Sequence, residues 1–269
     1  MGRFFRKAIS MIPPPVRKQL RKLQYNNFAK KHIEFNEVIR YLNLGYNSPE
    51  KLNLSDYDEP FRLNIQLYHE LIKDIELSGK NVLEIGCGFG GGCYYMATYF
   101  KPVSVTGIDI SYKNIDMCNR LHKVPNTQYL ERDAEHTQLP GESFDIIVNL
   151  ESSHCYPSRD TKFTKEVVRL LKPGGCFAYG DLFHEKYFTY FLNALDMCGM
   201  TKLSEKEITK EVLQARPLLK YKSLSAENKP FWTPLFFYKN LSVTDDSGTF
   251  KAMTDGRIKY KLFLFRKEA

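Results

Sequence analysis

Val82-Leu-Glu-Ile-Gly-Cys-Gly-Phe-Gly-Gly-Gly-Cys93 is the stretch on which the reading of this chain turns. The short apolar run Val82–Ile85 has the length and composition of a buried strand, and it breaks at once into glycines. Tyr94, Tyr95, Met96 and Phe100 follow at helical spacing. The spacing therefore predicts strand, glycine turn, helix. Glycines in such a turn let backbone approach a ligand without an intervening Cβ, and the new helix offers unpaired N–H groups at the positive end of its dipole.

Outward from this stretch the chain alternates. Strands are expected at Val103–Ile110, Thr127–Glu131, Phe144–Leu150 and Cys176–Leu182, with helices at Lys113–His122 and Asp160–Leu171 between them. Alternation with short connections means parallel strands, right-handed crossovers and helices on both faces, with ligands beyond the carboxyl ends of the strands. A helix at His184–Met200, a strand at Thr201–Ile208 and a final strand at Gly256–Arg266 complete the pattern. Before the first strand, helices are expected from about Val16 to Lys31 and from Glu59-Pro60 to Leu77. Residues 209–255 are too long for a bare connector and read as a helical lid, with the aromatic run Phe231–Tyr238 in its middle. That run suits an apolar substrate or forms the lid's own small core. The expected division is a basic helical segment over residues 1–55 and one α/β domain over 56–269.

Charge is uneven along the chain. Residues 1–31 hold nine Lys and Arg and no acid, whereas the remainder holds thirty basic against thirty-one acidic side chains. A near-neutral body argues against a broad nucleic-acid footprint. The basic leader, with Phe4, Phe5, Ile9 and Ile12 on one helical face, reads either as a peripheral membrane contact or as a flap on the domain. Six cysteines without a C-x-x-C pair suggest neither a disulfide framework nor a zinc site, which fits a reduced cytoplasmic setting, and no acidic pair suggests a divalent metal.

The strand ends carry the chemistry. Asp109 closes the second strand, where a carboxylate accepts hydrogen bonds from both hydroxyls of an adenosine ribose. Gly86-x-Gly88-x-x-Gly91 satisfies a dinucleotide fingerprint, while Glu84-x-Gly86-x-Gly88-x-Gly90 has the form found with S-adenosylmethionine (SAM), and both cofactors contain that ribose. Glu84 separates them: a carboxylate in a buried strand needs a cationic or hydrogen-bonding partner. The ammonium of a methionyl tail supplies one, and a nicotinamide dinucleotide does not. Asp133, after the third strand, is placed to accept from an adenine amino group.

Val82–Gly90, Asp109, Arg132–Glu135, Glu142–Val148 and Leu171–Gly175 resemble, in order, the motifs of class I SAM-dependent methyltransferases. More narrowly, Asp58-Glu-Pro60, Leu67-Tyr-His69, Gly90-Gly-Gly92, Ser153-His-Cys-Tyr-Pro157 and Leu203–Ile208 resemble the phthiotriolone/phenolphthiotriolone dimycocerosates O-methyltransferases, which act on a lipid polyketide hydroxyl. The resemblance spans roughly residues 56–269. It implies a Rossmann-like, seven-stranded, mostly parallel sheet and SAM as cofactor. Gly86, Gly88 and Gly90 would line the methionyl-ribose portion, Asp109 would hold the ribose, Asp133 and Ala134 the adenine, and Asn149 would face the sulfonium. His154, just past the fourth strand, is the candidate general base, oriented by Glu151 or Tyr156, with Asp181 as an alternative base or substrate ligand. The expected activity is O-methylation of a lipid, polyketide or similar apolar small molecule. Methylation at carbon, or a non-catalytic fold that binds a membrane or partner, are the alternatives.

Overall fold

The computed structural model describes residues 13–34, 39–219 and 248–268. Seven strands form one sheet: β1 Asn81–Ile85, β2 Ser104–Asp109, β3 Thr127–Glu131, β4 Phe144–Leu150, β5 Leu171–Phe183, β6 Met200–Glu207 and β7 Lys259–Lys267, in the spatial order β3-β2-β1-β4-β5-β7-β6. The first five neighbours pair in parallel, and β7 lies antiparallel between β5 and β6. Strand order reverses between β1 and β4, so a crevice opens beyond their carboxyl ends.

The described helices are α1 Pro14–Glu34, α2 Arg62–Ile72, α3 Gly91–Tyr99, α4 Tyr112–Leu121, α5 Thr164–Leu170, α6 Glu185–Asp196, α7 Thr209–Ala215 and α8 Gly248–Thr254. Period-two alternation sends the strand side chains to two cores. Val82, Ile146, Val148 and Tyr260 pack with Leu67 and Leu71 of α2 and Met96 of α3. Leu83, Ile147, Phe177, Tyr179 and Phe263 pack with Val167 of α5 and Phe188 and Phe191 of α6. The same alternation puts Glu84 on the α2 side of β1, beneath Tyr68.

Several boundaries differ from the sequence reading, among them β5, which starts at Leu171 and not at Cys176, and β7, which starts at Lys259 and not at Gly256. Two of the prolines ahead of the basic helix begin it: Pro14 and Pro15 occupy its first turn, where a missing N–H costs nothing. The segment expected as one helix from Asp160 opens as a wide turn, Arg159–Phe163, before α5. The helix expected to run to Leu77 stops at Ile72 after a 3-10 turn, Glu59–Phe61, at its start. Of the expected lid, α7, a short 3-10 turn at Arg216–Leu218 and α8 are seen, whereas the aromatic run Phe231–Tyr238 lies outside the described residues.

Candidate active site

A cavity of about 460 Å³ opens over the carboxyl ends of β1, β2 and β4. Its floor is the glycine turn. Gly86, Gly88 and Gly90 all have positive φ (76°, 56° and 81°), a region that penalises any side chain. Their roles differ. Gly86 and Gly88 line the cavity. A Cβ on Gly90 would lie 3.0 Å from Cys118, His122 and Tyr129, so its hydrogen is needed for packing beneath the turn, and Gly91 takes its place in the cavity wall.

The turn is fastened to β2. The amides of Gly86 and Cys87 both donate to the Ile108 carbonyl (2.8 and 3.0 Å), and the Gly88 amide donates to Asp109 Oδ2 (3.1 Å). Asp109 Oδ1 accepts from the Ser111 amide and from Asn114 Nδ2 (2.8 and 3.2 Å). Burial, with the Cys87 thiol nearby, pushes the Asp109 carboxyl up to about 7.

Glu84 is fully buried. Tyr68 OH donates to its Oε1 (2.6 Å) and Cys93 Sγ to its Oε2 (3.0 Å), and burial pushes its carboxyl up to about 8. Tyr68, not Glu84, forms the cavity wall on this side. Asp133 and Ala134 also line the cavity, but both Asp133 oxygens have protein partners: Lys18 of α1 at Oδ2 (2.6 Å) and the Glu135 amide at Oδ1 (3.0 Å).

Beyond β4 the chain turns sharply. Glu151 has φ 49°, an uncommon conformation for a residue with a side chain, and one that gathers at functional sites. Its carboxylate accepts from the Leu44 amide (3.0 Å) and from Tyr260 OH of β7 (2.9 Å), and burial pushes it up to about 7. Asn149 is turned away from the cavity wall. Its Nδ2 donates to the Ile85 carbonyl (2.8 Å) and to Ser152 Oγ (2.7 Å), and Ser152 Oγ meets Tyr156 OH at 2.8 Å. Ser152 and Tyr156, on the wall, occupy the space that a Cβ on Gly86 would need.

His154 lines the cavity with 36% of its side chain exposed, and its Nδ1 stands 2.8 Å from Asp181 Oδ1. Asp181, at the end of β5, is fully buried and accepts also from Ser153 Oγ (2.7 Å), the His154 amide (3.0 Å) and the Leu182 amide (2.8 Å). Burial alone would raise its pKa, but the imidazole and these donors outweigh burial and hold it below the usual range. Burial likewise opposes charge on His154, yet Cys155 and Asp181 together raise its pKa well above the ordinary value. His184 is not in the wall; it stands at the N-terminal boundary of α6, and its side chain makes no capping hydrogen bond.

Sequence reading missed the contribution of α1. Lys18, Arg21, Tyr25 and Phe28 all line the cavity, and Arg21 and Tyr25 both reach Cys155. The helix itself, its basic charge and its place ahead of the first strand, where it can cover the cofactor end, were visible beforehand; which of its side chains enter the site was not. Arg40 was missed as well. Wholly buried, it pairs with Asp58 (2.8 Å) and stacks under Tyr57 and Phe61, fixing the segment that carries Tyr41 into the wall.

Comparison with known proteins identifies the chemistry. Residues 83–179 match a methyltransferase domain model. The chain is 39% identical over 181 residues to the phthiotriol/phenolphthiotriol dimycocerosates methyltransferase of Mycobacterium tuberculosis, covering 66% of this chain and 67% of that protein. It is 37% identical over 201 residues to the fatty-acid O-methyltransferase of Mycolicibacterium smegmatis, covering 74% and 72%. The fold matches geranyl diphosphate C-methyltransferase from Streptomyces coelicolor with TM-score 0.69 at 17% identity, over 93% of this chain and 97% of that one. SAM fits the residues present. Tyr41 OH and Asn114 Oδ1 are buried at the cavity without partners, matching a ligand rich in amine and hydroxyl groups, and Gly86 and Gly88 put no side chain into the cavity beside Asp109. This chain is a SAM-dependent methyltransferase and belongs to the family of the phthiotriol/phenolphthiotriol dimycocerosates methyltransferases.

Proposed function

We propose that the enzyme methylates an oxygen, a hydroxyl, on a lipid, polyketide or similar apolar small molecule. The observation that carries this reading is the His154–Asp181 pair, at 2.8 Å, set in a wall that also presents Leu42, Leu44, Leu150, Leu182, Leu219 and Ile258. Apolar side chains around a few convergent polar groups suit a largely hydrocarbon ligand held by one reacting end. The names of the two mycobacterial relatives, one acting on a phthiotriol and one on a fatty acid, agree with that class.

SAM supplies a methyl group already activated on a sulfonium, so the protein's share is to align the acceptor oxygen and remove its proton. In this reading His154 takes the proton and Asp181 holds the ring in place. Glu151 and Tyr156 line the acceptor side, while Asn149 shapes the methyl side by fixing Ser152 and Tyr156. Asp109 accepts from the ribose, and Glu84, with Tyr68, answers the methionyl ammonium. Gly86 and Gly88 admit the methionyl-ribose portion, and Gly90 packs the turn beneath it. Asp133 and Ala134 border the adenine, with Lys18 sharing the Asp133 carboxylate.

Incubation with SAM and a long-chain secondary alcohol, followed by fragmentation mass spectrometry, tests the reaction. A gain of one CH₂ on oxygen is expected, and a new carbon–carbon bond instead would transfer the assignment to C-methylation.

We further propose that residues 1–31 make a peripheral membrane contact. Among the described residues no helix is long and apolar enough to cross a membrane. On α1, however, Val16, Leu20 and Leu23 stand 47%, 40% and 58% exposed, one above another at helical spacing. Deleting the segment would also remove Arg21 and Tyr25 from the cavity, so the sharper test is Leu20→Ser with Leu23→Ser. Binding to vesicles of anionic phospholipid should fall, and unchanged partitioning rejects the contact.

A further inference from the structure

The turn that carries His154 is gripped from two sides. On one side Asp181 of β5 takes both the ring Nδ1 and the backbone amide of His154 (2.8 and 3.0 Å). On the other, Cys155 Sγ receives Arg21 Nη1 at 3.5 Å and meets Tyr25 OH at 3.2 Å. These two contacts join residues about 130 positions apart. The first, to Asp181, orients the imidazole. The second has no part in the methyl-transfer reading given above, although it touches the adjoining residue and borders the same cavity.

We propose that Arg21 and Tyr25 are positioning residues of the methyltransferase site, acting through Cys155 to hold His154 where it meets the acceptor oxygen. The inference rests on His154 being the base. Its chemistry is that of a shared charge. A thiolate flanked by an imidazole and a guanidinium is stabilised by both. Burial opposes the charge on Cys155, but His154 and Arg21 outweigh it and bring the thiol down to about 6. Among the described residues the groups facing the pair are Arg21 and Tyr25 from α1, Asp181 from β5, and Glu151 and Tyr156 from the turn after β4, with Asp109 of β2 felt at Tyr25. Cys155 and Asp181 both favour the charged imidazole, so the seating of α1 sets how readily His154 is neutral and able to take a proton.

The sign can be tested without an acceptor. Removing the sulfur takes away the negative neighbour, so the His154 titration midpoint must fall; Arg21 is read at the thiol it faces, because its loss also takes a cation from the site. The experiment is a histidine-selective NMR titration of the full chain, with the His154 signal assigned from its loss in His154→Gln. For Cys155→Ser the midpoint is expected to fall by about one pH unit, a roughly tenfold rise in neutral imidazole at a given pH on the acid side. Tyr25→Phe, which weakens the thiolate without removing a cation, should move it the same way by less. Alkylation of Cys155 by iodoacetamide at neutral pH, followed by peptide mass spectrometry, should slow about fivefold in Arg21→Gln as the thiolate fraction drops. An unmoved His154 midpoint in Cys155→Ser overturns the proposal. So does a Cys155 alkylation rate that falls equally in Arg21→Gln and Arg21→Lys. If Arg21→Gln does not fold, Cys155→Ser alone decides. A moved midpoint combined with full turnover in His154→Gln would refute the base assignment and this proposal's catalytic meaning separately from the coupling itself.

Discussion

Asp181 binds His154 twice: one carboxylate oxygen meets the ring nitrogen Nδ1 at 2.8 Å and the other accepts the backbone amide of the same residue at 3.0 Å. An imidazole held at ring and backbone has lost most of its rotational freedom before any substrate arrives, and its tautomer is set by the carboxylate.

His154→Gln should lower turnover about 100-fold or more, the usual contribution of a positioned general base, while SAM affinity by calorimetry stays within about twofold. Asp181→Asn should lose somewhat less turnover and also destabilise the fold, because four donors converge on that carboxylate. Full activity in His154→Gln removes it from the mechanism.

Asp109→Asn should weaken SAM binding about 10- to 100-fold, the scale of hydrogen bonds to a charged group. Its side chain accepts from the Gly88 and Ser111 amides and from Asn114, and an amide nitrogen would face one of these donors. Since burial pushes the carboxyl up to about 7, SAM affinity should also fall as the pH drops below about 7, with proton release on binding that calorimetry in buffers of different ionisation enthalpy detects.

Gly86→Ala should cost about 2–4 kcal/mol, combining a forced contact with a left-handed backbone. The added methyl would fall 2.3 Å from Ser152 Oγ and 2.8 Å from Tyr156 OH at φ 76°. Thermal denaturation measures the loss. A variant as stable as the wild type would show that the turn relaxes freely, contrary to its fastening at Ile108.

Glu84→Gln should separate stability from binding. The folded carboxyl sits near 8 against 4.5 in the unfolded chain, so its stabilising contribution is complete below about pH 4.5 and is lost as pH rises through 8. Glutamine has no such loss. Without SAM, the variant should therefore gain on the wild type by up to about 1.4 kcal/mol per pH unit between those limits. With SAM the order should reverse, because the ammonium loses its carboxylate. Chemical denaturation at pH 5 and pH 8 with and without SAM reads both effects.

Much of this was legible beforehand. Val82–Ile85 and Phe144–Leu150 are dense apolar runs with an abrupt end, and such runs fix both strand and face. Glu84 and Asp109 were legible because a carboxylate at those strand positions breaks the apolar pattern and demands a partner. Cys155 was not, since nothing local distinguishes a cysteine in a turn from its neighbours until Arg21 and Tyr25 are folded against it. Lys18 on Asp133 and Tyr260 on Glu151 are of the same kind, contacts across more than a hundred residues that leave no periodic trace. Proline gave the opposite error: three in a row look like an ending, yet their fixed φ suits the opening turn of α1.

Strand β7 lies between β5 and β6 and sends Tyr260 to Glu151. During synthesis, at roughly 5–20 residues per second, the ribosome has made every other strand before residues 259–267 emerge. Until then β6 has no neighbour and β5 shows a bare hydrogen-bonding edge, the kind of surface that chaperones cover and stray strands invade. The nascent enzyme is therefore most vulnerable along the β5 side of its sheet, and Glu151 gains its Tyr260 partner last.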